Sequence, residues 1–174
     1  MRSVVVYESM FGNTHAVAEA IATGLRRTGE VVIVPVEQAT QDVLLGADLV
    51  VVGGPTHAHG MSSSQSRKGA PDYVEKSHGD LTLEDGWDGM GLRDWFQELS
   101  DHACAAAAFD TRADVAALLS GRASKGIAAR LQKHGCRLVA EPESFLVKDN
   151  HLLEHELDRA ADWGASLAAA FVTH

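Results

Sequence analysis

Cysteine is almost missing from this chain: Cys104 and Cys136 are the two in 174 residues. Their spacing matches neither a zinc nor a redox motif, and reduced thiols are favoured over the alternative of a disulfide between them. Each stands at the start of a predicted strand, which points to buried, reduced thiols. Positive charge is also scarce. Lys and Arg number 15 against 24 Asp and Glu, a formal net charge of −9; this argues against general nucleic-acid binding and against an anionic membrane surface as partner. No apolar run is long enough to cross a membrane, and only about four apolar residues precede Glu8, too few for a signal peptide. A cytoplasmic protein is expected. Three catalytic or nucleotide-binding signatures are missing as well: GxSxG, G-x-x-x-x-G-K-S/T and G-x-G-x-x-G. A serine-hydrolase elbow, a P-loop nucleotide triphosphatase and a dinucleotide Rossmann site are thereby disfavoured. GRASKG, at Gly121 to Gly126, resembles half a P-loop but follows no strand.

What is present is alternation. Val4 to Tyr7 is a short apolar run suited to a strand buried on both faces. Ser9, Gly12, Asn13 and Thr14 follow, and then Val17, Ala20, Ile21, Gly24 and Leu25 mark a helical stripe. A strand running into a hydroxyl-rich loop that opens a helix makes an anion socket from backbone N–H groups, hydroxyls and the positive helix end. No Lys or Arg lies between Glu8 and Thr14. The bland alternative for Ser9, Asn13 and Thr14 is ordinary helix capping, although capping requires only one of them.

The rhythm continues. Val31 to Val36 predicts a second strand near a sheet edge, Gln41 to Leu45 a short helix, and Leu49 to Val52 a third strand ending in GGPTHAHG (Gly53 to Gly60). Residues 61–91 break the pattern as a long polar excursion. They are either a cover for a ligand, using Tyr73 and Trp87, or a solvated insertion. Leu92 to Leu99 predicts a helix with Trp95 and Phe96 in the core, and Ala103 to Phe109 a fourth strand despite alanine's helix preference. Asp114 to Leu119 suits a short helical turn, and Ser124 is expected to cap a helix that ends at Gly135. Cys136 to Val147 is a fifth strand interrupted at Pro142, and Leu152 to Val172 a long amphipathic helix. With 45% hydrophobic residues the expectation is one domain spanning 1–174.

Five strand–helix units, SMFGNT after the first strand, GGPTHAHG after the third and Phe109 to Arg112 after the fourth resemble the flavodoxin-like family of FMN-binding proteins over nearly the whole chain. The resemblance implies an α/β fold of three α-β-α layers on a five-stranded parallel sheet of order 2-1-3-4-5, with the ligand beyond the carboxyl ends of the first and third strands. It implies FMN as cofactor, electron transfer as function, and a redox partner protein or small electron acceptor as partner. Ser9, Met10, Phe11, Gly12, Asn13 and Thr14 would hold the phosphate. Pro55, Thr56, His57, Ala58, His59 and Gly60, with Asp110, Thr111 and Arg112, would flank the isoalloxazine ring.

The chain departs from the family at the ring. Flavodoxins commonly stack aromatic side chains there, whereas this chain offers His57, His59 and Arg112, and it has Phe11 where a further hydroxyl is common. A guanidinium near the ring would favour the anionic two-electron-reduced form; the alternative for Arg112 is a surface ion pair. His57 and His59 are a ring contact, plain loop polarity or a metal pair, the last lacking the carboxylate or cysteine that usually accompanies one. His151 and His155 have one-turn spacing on the expected last helix and suit a solvated face better than a metal. Carrier and enzyme both remain open: a quinone- or porphyrinogen-type oxidoreductase is one alternative, and a flavin-free interaction domain using residues 61–91 is another.

Overall fold

The computed structural model describes residues 1–57 and 60–172. Strand β1 (Arg2–Tyr7) lies between β2 (Glu30–Pro35) and β3 (Leu49–His57), parallel to both, so that Val5 faces Ile33 on one side and Val51 on the other. A two-residue strand β4 (Gly60–Met61) folds back antiparallel on the end of β3. On the far side of β3 runs β5 (Ala105–Ala113) in parallel, followed by β6 (Arg137–Leu138) and β7 (Glu143–Lys148), both parallel to β5. A short antiparallel β8 (His151–Leu152) closes the edge. Counting only the five longer parallel strands, the order is 2-1-3-4-5.

Alternation along these strands divides the core in two, because successive side chains leave a strand on opposite faces. Val4, Val6, Val50, Val52, Ala106 and Ala108 pack with Leu44, Trp95, Phe96, Ile127 and Leu131 on one face. Val5, Leu49, Val51, Ala107 and Phe109 pack with Val17, Ile21, Leu25 and Leu167 on the other. The second face carries α1 (Asn13–Leu25). The first face is covered by α2 (Gln41–Leu44) and by residues of two further helices described below. Ala105 to Ala108 form strand rather than helix because each is buried in the sheet centre, where small side chains let both helical layers approach.

Residues 61–91 are folded, in contrast to a solvated insertion. They contain α3 (Ser64–Arg67) and α4 (Ala70–Lys76), and Met61, Ser62, Arg67, Ala70 and Leu81 are buried. Helix α5 (Leu92–Glu98) follows, then α6 (Ala117–Ser120) and α7 (Ala123–Lys133) around β5. Ser124 does not cap α7: it lies inside the first turn, and its N–H is held by Asp110. The fifth strand is split into β6 and β7 across Pro142, which has no N–H for the ladder.

The last helix, α8 (Glu156–Val172), starts later than its stripe predicts. Leu152 belongs to β8, and His151 and His155 share no helix; His155 has φ 67°. Helices α1 and α8 meet backbone to backbone. A Cβ on Gly24 would lie 2.1 Å from the Ala161 carbonyl oxygen, and one on Gly164 would lie 2.2 Å from that of Ile21. Cys136 is buried and Cys104 half-buried; both are free thiols. No described helix is long and apolar enough to cross a membrane.

Candidate functional site

The carboxyl ends of β1, β3, β5 and β7 converge on a cavity of about 340 Å³. The first loop contributes Ser9, Met10, Phe11, Asn13 and Thr14, the end of β3 contributes Pro55, Thr56 and His57, and β5 contributes Thr111 and Arg112. Gly12, Gly60 and Asp110 are close in sequence but do not line it. Ala58 and His59 lie outside the described residues.

The first loop is built to leave amides open. Gly12 turns the chain at φ 89°, its N–H donates to Ser9 Oγ at 3.2 Å, and the first helical hydrogen bond of α1 runs from Ala16 N to Gly12 O. The N–H groups of Asn13, Thr14 and His15 precede that bond and have no acceptor within the helix. Asn13 and Thr14 both line the cavity, so the positive helix end lies beside it. Asn13 Nδ2 donates to Asn150 O at 2.6 Å, and buried Thr14 shares a 2.8 Å hydroxyl hydrogen bond with Thr111.

The segments expected to flank a ring are strand rather than free loop. Gly53, Gly54 and Pro55 pair with Phe109, Asp110 and Thr111 in register, so β3 and β5 carry their side chains rigidly to the mouth. Thr56 Oγ1 accepts from Ala123 N at 2.9 Å. Asp110, fully buried, accepts from Ser124 N at 2.7 Å and so serves α7 instead of the cavity. Arg112 Nη1 donates to Val115 O at 2.8 Å and to Ser120 Oγ at 3.3 Å, bracing its own loop, while its buried Nε has no partner among the described residues. Arg112 is not the surface ion-pair partner of any carboxylate among the described residues.

Burial pushes the His57 imidazole down from its ordinary pKa; nearby Arg67 adds to this and Glu8 opposes it. Burial thus favours the neutral ring over the cation. Tyr7 moves up, chiefly by burial and then by Glu84, Glu19 and Glu37. Among the described residues no three His, Cys, Asp or Glu side chains gather as a metal site would require.

Tyr73, expected as a cover from residues 61–91, lines the cavity. Sequence reasoning missed Ser66 and Ala70 beside it, and Ala113, Val147 and Asn150. Phe11 meets Tyr73 edge to face at 6.4 Å between centroids. Trp87 instead lines a second cavity of about 360 Å³, beside Tyr7 and Glu37. What fastens the excursion is a buried cluster. Glu8 Oε2 accepts from Leu92 N at 2.8 Å, its Oε1 accepts from Ser62 Oγ, and Arg67 Nη1 lies 3.7 Å from Oε1 and 3.0 Å from Ser62 Oγ. Glu84 N donates to Met10 O at 2.9 Å, and its carboxylate lies 2.7 Å from His15 Nδ1. Asn150 was signalled only by the dipeptide Asp149-Asn150, whose φ values of 50° and 61° make the tight turn between β7 and β8.

Comparison with solved structures returns the same architecture. A flavodoxin from the domain Archaea superposes with a TM-score of 0.68 at 20% identity, covering 100% of each chain. Oxidised Flavodoxin 1 from Bacillus cereus gives 0.64 at 22% identity, over 100% of this chain and 99% of that one. The flavodoxin, WrbA-like protein from Agrobacterium tumefaciens gives 0.60 at 22%, over 99% and 98%. At these identities the likeness is one of fold. No curated protein sequence matches the chain. The sequence pattern of the flavodoxin family matches residues 5–163, most of the chain and the cavity ends of β1, β3, β5 and β7, and the protein therefore belongs to the flavodoxin family.

Proposed function

We propose that the protein binds FMN in the cavity between β1, β3 and β5 and relays electrons to a redox partner protein or a small acceptor. The charge pattern of the lining carries this reading. The chain holds 24 acidic residues, and none of them lines the cavity. An acidic wall would repel a phosphate, whereas open helix amides and hydroxyls accept one. At the other end, the unpartnered buried Nε–H of Arg112 suits a ring acceptor. The volume of about 340 Å³ lies within the range of small-molecule sites.

When bound, FMN supplies reversible one- and two-electron chemistry. The chain supplies the rest. Ser9 and Thr14 hydroxyls and the amides of Asn13 to His15 hold the phosphate, and the Asn13–Asn150 and Thr14–Thr111 hydrogen bonds keep that socket in register with the ring end. Phe11, Tyr73 and His57 exclude water. Arg112 offsets negative charge arriving on the ring, because opposite charges attract strongly where water is partly excluded.

Titration of FMN fluorescence tests the reading. Quenching with a sub-micromolar Kd is expected, weakened about tenfold or more by Thr14→Ala and more for FMN than for riboflavin, which lacks the phosphate. A folded protein indifferent to FMN would overturn it in favour of an interaction domain. Arg112 also favours a second reading, catalysis of two-electron transfer to a quinone- or porphyrinogen-type substrate. Reduction of the bound flavin by NAD(P)H alone would support the enzyme over the carrier.

A further inference from the structure

Cys104 and Cys136 lie at the end of the sheet remote from the cavity, each directly before a strand. Ala105 pairs with Arg137 in parallel register, so the two cysteines stand opposite one another one residue earlier, and Arg137 N donates to Cys104 O at 2.8 Å. Neighbouring strands run about 4.8 Å apart, inside the roughly 4.4–6.8 Å between Cα atoms that a disulfide bridges. The sulfurs are already 2.9 Å apart, and both are free thiols.

We propose that Cys104 and Cys136 form a dithiol site for hydroperoxides, which convert the pair to an intramolecular disulfide. The thiolate of one cysteine attacks the terminal peroxide oxygen. An S–O bond forms as the O–O bond breaks, and the departing oxygen takes up a proton as water or alcohol. The other cysteine then attacks the sulfenic sulfur. The S–S bond forms, the S–O bond breaks, and the hydroxyl leaves with the second thiol's proton as water. The two thiols together lose two electrons and two protons, and the peroxide gains both.

Either sulfur can donate to the other, and Cys136 Sγ also donates to His102 O at 3.0 Å. Cys136 is 7% exposed and Cys104 half-buried, which admits a peroxide more readily than a bulky disulfide. The new bond would tie the start of β5 to β6 across a separation of 32 residues that includes Asp110, Arg112 and α7.

The test uses the full chain, reduced, desalted and treated with stoichiometric hydrogen peroxide. Both thiols should disappear together, with an intact mass lower by two hydrogens and no dimer on a non-reducing gel. Cys104→Ser and Cys136→Ser should each form no intramolecular disulfide and stop at a sulfenic acid on the remaining cysteine, which dimedone traps. Two thiols still titrating, added oxygen without a disulfide, or a disulfide between chains would overturn the proposal. Should either variant fail to fold, the wild-type count decides. Thiol counting requires no flavin, so its outcome is independent of FMN binding.

Discussion

The carboxylate of Asp110, at the end of β5, accepts a 2.7 Å hydrogen bond from the backbone N–H of Ser124, in the first turn of α7. A helix leaves its first amides without partners, and here a neighbouring strand supplies the acceptor that a local cap would otherwise provide. Asp110→Ala should therefore cost about 1–2 kcal/mol, measured as a lower urea midpoint. The proposed FMN site, whose α1 end is built from other residues, should keep the preference for FMN over riboflavin expected of it.

Glu8 and Arg67 are buried together, each less than a tenth exposed. Removing one member of such a pair leaves a charge without compensation, so Arg67→Met should destabilise by about 3–5 kcal/mol. Glu8→Gln combined with Arg67→Met should cost less than Arg67→Met alone, because the amide still accepts from Leu92 N. Limited proteolysis supplies an independent readout: cleavage within residues 61–91 should accelerate in the single variant.

These two contacts mark where the sequence stops being legible. The valine runs of β1, β2 and β3 and the hydroxyl loop at Ser9 to Thr14 are local patterns, so these strands and the turn into α1 could be read directly, while the strand order and layering came with the family resemblance. The excursion could not be read. Its charged composition suggests solvent, and it is the remote Glu8, together with Ser62 Oγ and Gly89 O, that makes Arg67 a core residue. Asp110 fails for a similar reason, since nothing adjacent to it shows that Ser124 lies in reach. His151 and His155 were misplaced because the apolar spacing of α8 extends into a hairpin that the Asp149–Asn150 turn creates. The proximity of Cys104 and Cys136 depends on strand register, which no spacing rule reports.

Arg112 contributes the one guanidinium to the cavity lining among the described residues. Arg112→Ala should make the FMN-loaded protein harder to reduce, lowering the midpoint potential by tens of millivolts; about 59 mV corresponds to a tenfold change for one electron. The residue is partly exposed, so the shift should shrink at high salt. Spectroelectrochemical titration at two ionic strengths measures both effects, and an unchanged potential would remove the charge-offset role.

His57 makes stability depend on pH in a defined direction. Its folded pKa lies below its unfolded value because burial disfavours the cation. The unfolded chain therefore binds more protons between the two values, and stability falls as pH drops from about 6.5 toward the folded pKa. Above about 6.5 the contribution is fully present. His57→Gln should flatten this part of the profile in urea unfolding measured from pH 7 downward; an unaltered slope would assign it to other groups.

The contact between Gly24 and Gly164 bears on how this sequence can change over generations. Each glycine faces the other helix's backbone with no room for a methyl group, so neither position can acquire a side chain while the partner helix stays where it is. A substitution at one is tolerated only if α8 moves outward along its length, which would loosen Leu167 and Ala168 from the sheet at the same time. Among descendants of this chain the two positions should behave as one inherited unit, small together or repacked together, although they lie far apart in the sequence.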